Sequence, residues 1–390
     1  MLFSWQDSFF FQAACGMTGR GLSPMILWAI MQSPKYERNT HPSRIEDPMM
    51  KRSVQVLLVL SIAFALSSCE SLMERTVEKR LNRQRADLLQ DGNLHVILVG
   101  SGGPINNTER LPVCTAVIAG GEFILVDAGP GTVRNADLLN LPLAGLTGVF
   151  VTHFHSDHIA DLGEANFQSW AAGRQKKLEI HGPKGVEQIV QGFIAAYAPD
   201  TQYRIAHHGE SVMTPEASRP EAKTLSLQSP DTAELCFDRN GLKVYAFAVN
   251  HFPAEPALGY RFEYRGNNVV ITGDTKKVKS LVQHAQNADL LISEALSFKM
   301  TALVQKVFSE NGRTRLAKTM SDIPDYHMSP VQAAEVAREA NVKKLVLHHI
   351  APPVTSLFAK RMFLEGTRDV FAGEIVLGED GMSFDFDPKM

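Results

Sequence analysis

The segment Val151 to Gly163, VTHFHSDHIADLG, places His153, His155, Asp157 and His158 within six residues. Imidazole nitrogens and carboxylate oxygens are the donors that zinc and related divalent cations take. His153 and His155 are two apart at the end of an apolar run, so in extended backbone their side chains point to the same side. Asp157 and His158 open the helical pattern that follows. A histidine nitrogen binds zinc at about 2.0–2.1 Å, and one centre takes about four ligands. Four donors this close in sequence do not easily converge on one ion. They suit two neighbouring ions, His153 and His155 on one, Asp157 and His158 on the other. Each ion then needs ligands from elsewhere. The chain offers His251 in AVNHFPAEPALGYRF, Asp274 in VVITGDT, and His348 or His349 in LVLHHIAPP, each at the carboxyl end of an apolar run. Loops beyond strand ends are where a rigid scaffold presents chemistry.

The elements that must carry these residues are legible as short runs bounded by Gly, Pro and Asn. LHVILVG (94–100), CTAVIA (114–119), EFILVDAG (122–129) and GVFVTH (148–153) read as strands. Helical patterns cover Ala160 to Ala172 and Gly185 to Tyr197, and a polar stretch over roughly 200–240 breaks the rhythm. Strands resume at KVYAFAV (243–249), ALGYRFEY (257–264), NVVITGD (268–274) and DLLISEA (289–295). A helix over 330–340, strand KLVLHHI (344–350), a helix over 355–368 and the closing pair EIVLGE and MSFDFD complete the chain. Strands come in runs before each helix, which favours two sheets with helices outside them.

Composition sets bounds on this picture. The chain has 390 residues, 44% hydrophobic and 21% charged, as in a globular protein. A formal charge of −3 leaves no global cationic field for nucleic acid. Four cysteines without a CxxC pair exclude a disulfide scaffold, although export would permit a bond between Cys114 and Cys236. From Met49 the chain reads MMKRSVQVLLVLSIAFALSSC: Lys51 and Arg52 precede an apolar stretch, Val54 to Leu66, too short to span a bilayer comfortably. Leu66-Ser67-Ser68-Cys69 resembles the lipobox of bacterial lipoproteins. Residues 49–69 are therefore expected to be a signal peptide. The resemblance implies an exported protein, lipid-anchored through Cys69 to a bacterial membrane on its periplasmic or extracytoplasmic side. Residues 1–48 then read as an upstream extension or a disordered segment, with translation starting at Met49 or Met50. Residues 70–92 read as a stalk helix and 93–390 as the domain.

HxHxDH after a strand, followed in order by His251, Gly-Asp-Thr and a late histidine, resembles the metallo-β-lactamase-fold hydrolases. SGGP (101–104), VDAGPGT (126–132), PALGYRFEY (256–264), ITGDT (271–275) and YHMSPVQAA (326–334) look most like the ribonuclease Z and arylsulfatase branch. The resemblance covers roughly 93–385. It implies an α/β fold, the four-layer αββα sandwich, with two divalent metal ions, zinc expected, at one edge. It assigns His153, His155 and His251 to the first metal, Asp157, His158 and His349 to the second, and Asp274 as the bridge. His349 is preferred over His348 because the family's pattern is an apolar strand, one residue, His, then an apolar residue.

The resemblance also implies a mechanism. A metal-bridging hydroxide attacks an ester, Asp157 holds or deprotonates the water, and His327 in DYHMSP protonates the leaving group. Glu294 is a candidate partner orienting a ligand or His327. His181 reads as structural, and His207, His208 and Arg204 as possible shapers of the cleft. Only 22 residues separate His251 from Asp274, too few for the tRNA-gripping arm of ribonuclease Z enzymes. The expected substrate is accordingly a small anionic phosphate, sulfate or related ester under a lid built from 200–240, with tRNA an unexpected partner and oligomerisation left open. The alternatives are a ribonuclease Z-type phosphodiesterase acting on RNA, and a catalytically silent metal-binding lipoprotein.

Overall fold

The computed structural model describes residues 71–79 and 85–389. The expected signal peptide and upstream extension lie outside the described residues. Residues 71–79 form a helix. The compact unit begins at Arg85 rather than Asn93, because the short 3-10 helix Ala86–Leu89 inserts Leu88 into the core.

Two seven-stranded sheets face each other. The first has the order β14-β1-β2-β3-β4-β5-β6, built from β1 (Leu94–Gly100), β2 (Cys114–Ala119), β3 (Glu122–Val126), β4 (Leu146–Phe150), β5 (Glu179–Pro183), β6 (Glu221–Leu225) and β14 (Ser383–Phe386). The second has the order β13-β12-β11-β10-β9-β8-β7, from β7 (Glu234–Arg239), β8 (Leu242–Val249), β9 (Ala257–Tyr264), β10 (Asn267–Ile271), β11 (Leu290–Leu296), β12 (Lys344–Ala351) and β13 (Glu374–Leu377). Strands β1, β2, β3 and β11 are buried along their whole length, which is why they read as unbroken apolar runs rather than alternating ones.

Three apolar clusters define four layers. One lies between the sheets and joins Val96, Leu98 and Phe150 to Tyr260, Phe262 and Ile292. The second lies under the helices of the first sheet: α1 (Thr132–Leu138), α2 (Ser156–Ile159), α3 (Leu162–Ala171) and α4 (Val186–His208). The third lies under helices of the second sheet, among them α5 (Lys279–His284) and α8 (Pro330–Glu339). The expected αββα sandwich is the observed architecture.

Several elements differ from the sequence-based expectation. The helix expected to stop at Tyr197 runs to His208 through Pro199. Tyr197 and Ile205 on that extension pack with Phe167, Trp170, Met213 and Ala217, a tertiary cluster that outweighs the local cost of proline. The polar region after it contains edge strands β6 and β7. Most of their positions are exposed or half-buried, with Phe237 alone buried in them, so no apolar run marks them. A helical pair, α6 (Phe298–Glu310) and α7 (Thr314–Asp322), fills the interval after β11. Cys114 and Cys236 are free thiols in opposite sheets, so the disulfide that export would permit is absent.

Candidate metal centre

The chemistry-bearing residues gather where both sheets present strand carboxyl ends. His153 and His155 follow β4, Asp157 and His158 lie in α2, His251 follows β8, Asp274 follows β10 and His349 lies in β12. Two hydrogen bonds bring the two sheets into register here: the Tyr260 hydroxyl donates to the Val151 carbonyl at 2.6 Å, and Leu258 N donates to the Thr152 carbonyl at 3.0 Å. α2 is drawn against the sheet by Ala128 N donating to the His158 carbonyl at 2.7 Å. Gly129 is required at that approach, since a Cβ there would stand 2.4 Å from the Asp157 carbonyl oxygen.

Donor atoms of His153, His155, His251 and Asp274 lie within 4.8 Å of one another, as do those of Asp157, His158 and His349. The Asp274 carboxylate joins the groups. Its Oδ2 stands 3.3 Å from His158 Nε2, 3.3 Å from His349 Nε2, 3.7 Å from His251 Nε2 and 3.9 Å from His153 Nε2. Asp157 Oδ2 stands 3.3 Å from His349 Nε2. All seven sequence-selected ligand candidates thus converge. His348 is buried too, but belongs to neither group and both its ring nitrogens lack partners. Burial drives its pKa down to about 3, so its ring is neutral.

The choice between adjacent histidines is made by a β-bulge. Across the parallel β11–β12 pair, Glu294 faces His348 and Ala295 faces Ile350, leaving His349 as the extra residue. Its φ of 49° is left-handed, a conformation that turns its ring out of the ladder register. The strand continues past both histidines to Ala351 around this bulge.

Tautomers are set from behind. His251 Nδ1–H donates to the Tyr326 carbonyl at 2.9 Å, and His158 Nδ1–H donates to Asp127 Oδ2 at 2.8 Å. Each leaves Nε2 with its lone pair toward the centre. Asp127 also accepts from Thr152 N at 2.8 Å and the Thr152 hydroxyl at 2.9 Å. The motif VDAGPGT gives Asp127 no role when read alone. The signal it offers is a lone carboxylate directly after an apolar strand.

The donor set fits divalent cations. Four carboxylates, Asp127, Asp157, Asp274 and Glu294, are buried, and among the described residues none pairs with Lys or Arg. Buried anions without cations are costly. The buried atoms His158 Nε2 and Asp274 Oδ1 lack hydrogen-bond partners. Burial holds His153 well below the usual imidazole range and His251 down at about 4, so both rings are neutral, the form that binds metal. Burial opposes charging His158, yet Asp274 and Asp127 raise its pKa well above normal, a demand for positive charge that a cation would meet.

His327 borders the centre, with Nδ1 4.0 Å from Asp274 Oδ2 and 3.3 Å from Glu294 Oε1. Burial opposes its protonation, but Glu294 lifts its pKa to about 9. Glu294 is itself held by Met328 N at 2.8 Å and Thr275 N at 3.2 Å. The backbone after His327 is fixed by a capping box: Ser329 Oγ accepts from Gln332 N while Ser329 N donates to the Gln332 side chain, with Pro330 opening α8. His207 and His208, by contrast, are exposed at the end of α4 and join no metal-competent group among the described residues. Arg204 pairs with Asp200 at 2.8 Å and lies 4.3 Å over the Phe167 ring. His181 stacks on Phe150 with ring centroids 4.3 Å apart.

Comparison with known proteins agrees with this geometry. The family described as a beta-lactamase superfamily domain matches residues 122–350. Ribonuclease Z of Mycobacterium bovis is 34% identical over 264 residues, 67% of this chain and 87% of the relative. Ribonuclease Z of Mycobacterium avium is 31% identical over 290 residues, 74% of this chain and 96% of the relative. Among solved structures, human tRNase Z, short form, superposes with a TM-score of 0.54 at 22% identity, covering 76% of this chain and 100% of that one. The metallo-β-lactamase fold protein YhfI from Bacillus subtilis gives 0.52 at 20% identity over 75% and 99%. The relatives support the ribonuclease Z side of the resemblance and not the arylsulfatase-like side. They also overturn the expectation of a small-molecule ester as partner and of tRNA as unlikely. That expectation weighed a short His251–Asp274 interval and overall charge, neither of which reports how a local surface recognises RNA. The chain belongs to the β-lactamase superfamily: it is a metallo-β-lactamase-fold hydrolase with ribonuclease Z homologues.

Proposed function

We propose that this protein is a dinuclear metal-dependent phosphodiesterase that cleaves RNA. The observation that carries the proposal is the convergence of two donor groups on the Asp274 carboxylate, with His327 held beside them by Glu294. Relatives named ribonuclease Z support the choice of RNA. His153, His155 and His251 would hold one cation, Asp157, His158 and His349 the other, with Asp274 shared. A pair of divalent cations held there would lower the pKa of water and offset charge developing on the phosphoryl oxygens. The protein's own groups do the rest. Asp127, Thr152 and the Tyr326 carbonyl orient the ligand rings. Asp157 orients the attacking water and accepts its proton. His327 keeps its Nδ1 toward Glu294 and donates a proton from Nε2 to the departing oxygen.

The test is cleavage of a labelled tRNA transcript and of an unstructured RNA oligonucleotide by the purified protein loaded with zinc or manganese. Chelator-sensitive strand cleavage is expected, lost in His153→Ala and Asp274→Ala. A protein that binds two metal ions per chain and leaves both RNAs intact overturns the proposal.

A further inference from the structure

Two segments root directly in the candidate centre. The α6–α7 pair stands between Glu294 on β11 and His327, and α9 (Leu357–Phe363) with α10 (Thr367–Val370) begins eight residues after His349. Their roots are tied by Ser297 N donating to the Ala351 carbonyl at 2.8 Å. Residues 298–322 and 357–370 together hold eight Lys and Arg against four Asp and Glu, a local charge of +4 in a chain whose total is −3. Everything else in the chain therefore sums to −7.

Part of this positive charge is neutralised locally: Lys299 pairs with Glu365 at 2.6 Å, and Lys318 with Asp322. Arg313, Arg315, Arg361 and Arg368 are exposed and have no carboxylate partner among the described residues. Four unpaired guanidiniums on two segments rooted at the centre of an acidic protein match a phosphate backbone in charge and in donor geometry. Phe358 is 71% exposed and Leu357 86% exposed. Phe358 lies one helical turn from Arg361, and an open groove of about 770 Å³ runs among Phe358, the cations Lys299, Lys360, Arg361 and Arg368, and the carboxylates Glu365 and Asp369. An exposed aromatic beside cations is how sequence-tolerant single-stranded sites stack bases.

We infer that this α6–α7/α9–α10 face is the docking surface for RNA, delivering a phosphodiester to the centre at its root. The inference rests on the ribonuclease reading above and adds where the polymer lies. A membrane surface is the weaker fit, because interfacial affinity scales with buried apolar area and one Leu–Phe pair offers little, whereas stacking needs one ring per base.

The test uses the full chain, a fluorescein-labelled tRNA transcript and anisotropy titrations across salt. Replacing Arg313, Arg315, Arg361 and Arg368 together by Gln is expected to weaken binding roughly 100-fold. It should also flatten the log–log salt dependence by about 3, since each neutralised phosphate adds about 0.9 to the slope. Phe358→Ala should weaken binding about tenfold. Metal content and thermal midpoint should keep wild-type values in both variants. Wild-type affinity and salt slope in the four-arginine variant overturn the inference while leaving the ribonuclease proposal standing. Phosphatidylglycerol vesicles that lose affinity for the variant, with tRNA binding intact, overturn it in favour of a membrane. A wild-type protein that neither binds nor cleaves RNA overturns both.

Discussion

Asp127 Oδ2 accepts the Nδ1–H of His158 at 2.8 Å, so a residue just beyond β3 dictates which nitrogen a residue 31 positions later turns to the centre. Asp127 does this from φ = 60°, a conformation that Asp and Asn tolerate and most residues do not.

Asp127→Asn therefore keeps the backbone geometry but removes one acceptor and the negative charge behind His158. Metal affinity at the site containing His158 should fall about 10- to 100-fold. Competition with a fluorescent chelator measures this directly. Two equally tight ions in the variant would contradict the role given to Asp127.

The Glu294–His327 pair makes a signed pH prediction. Glu294 raises the His327 pKa to about 9, so the imidazolium needed as general acid is present below that value and lost as pH rises through it. Glu294→Gln keeps an acceptor for Met328 N but removes the charge. The alkaline limb of the kcat profile should move to lower pH by about one unit or more. An unmoved limb would assign the proton to another group.

Gly103 backs the bulged histidine. A Cβ there would meet His349 Cε1 at 3.2 Å and Nδ1 at 3.3 Å, closer than van der Waals packing normally allows. Gly103→Ala should push the ring off its position, so that cobalt titrations followed by visible absorption give one tight site instead of two. Retention of both bands would mean that the His349 ring yields while keeping its ligand geometry.

Away from the centre, Glu179 on β5 links the two sheets by accepting from Arg239 on β7 at 2.6 Å, and lies 3.2 Å from His181 Nε2. The hydrogen bond with His181, then that with Arg239, holds its pKa down at about 2. The folded value lies below the unfolded one, so this stabilisation is full above about pH 4.3 and fades as pH falls toward 2. Arg239 is half exposed, which limits the contribution to about 1 kcal/mol. Urea midpoints of wild type and Glu179→Gln should differ at pH 6 and converge near pH 2. A constant difference would remove the pKa argument.

Much of the centre was legible because its ligands are local in kind. HxHxDH binds meaning to spacing, since strand-end alternation and a helix start place those side chains without reference to the rest of the chain. His251 and Asp274 were legible for a related reason: each follows an apolar strand that ends in a loop. Strands β1 and β2 were read to the residue because two-sided burial leaves continuous apolar runs. Edge strands β6 and β7 bury one side only partly and left no such trace. The helix through Pro199 contradicts local propensity and exists because Phe167 and Trp170 give it something to pack on.

By itself, the sequence determined the ligand types, their order and the two-sheet scaffold, because those follow from periodicity and from which side chains bind cations. Only tertiary structure decided the bulge that turns His349, the histidine the family pattern already favoured, out of the ladder register, that Asp127 stands behind His158, and that α4 continues through Pro199. Each of those depends on register between strands or on packing between segments far apart in the chain, and such relations have no local signature in the sequence.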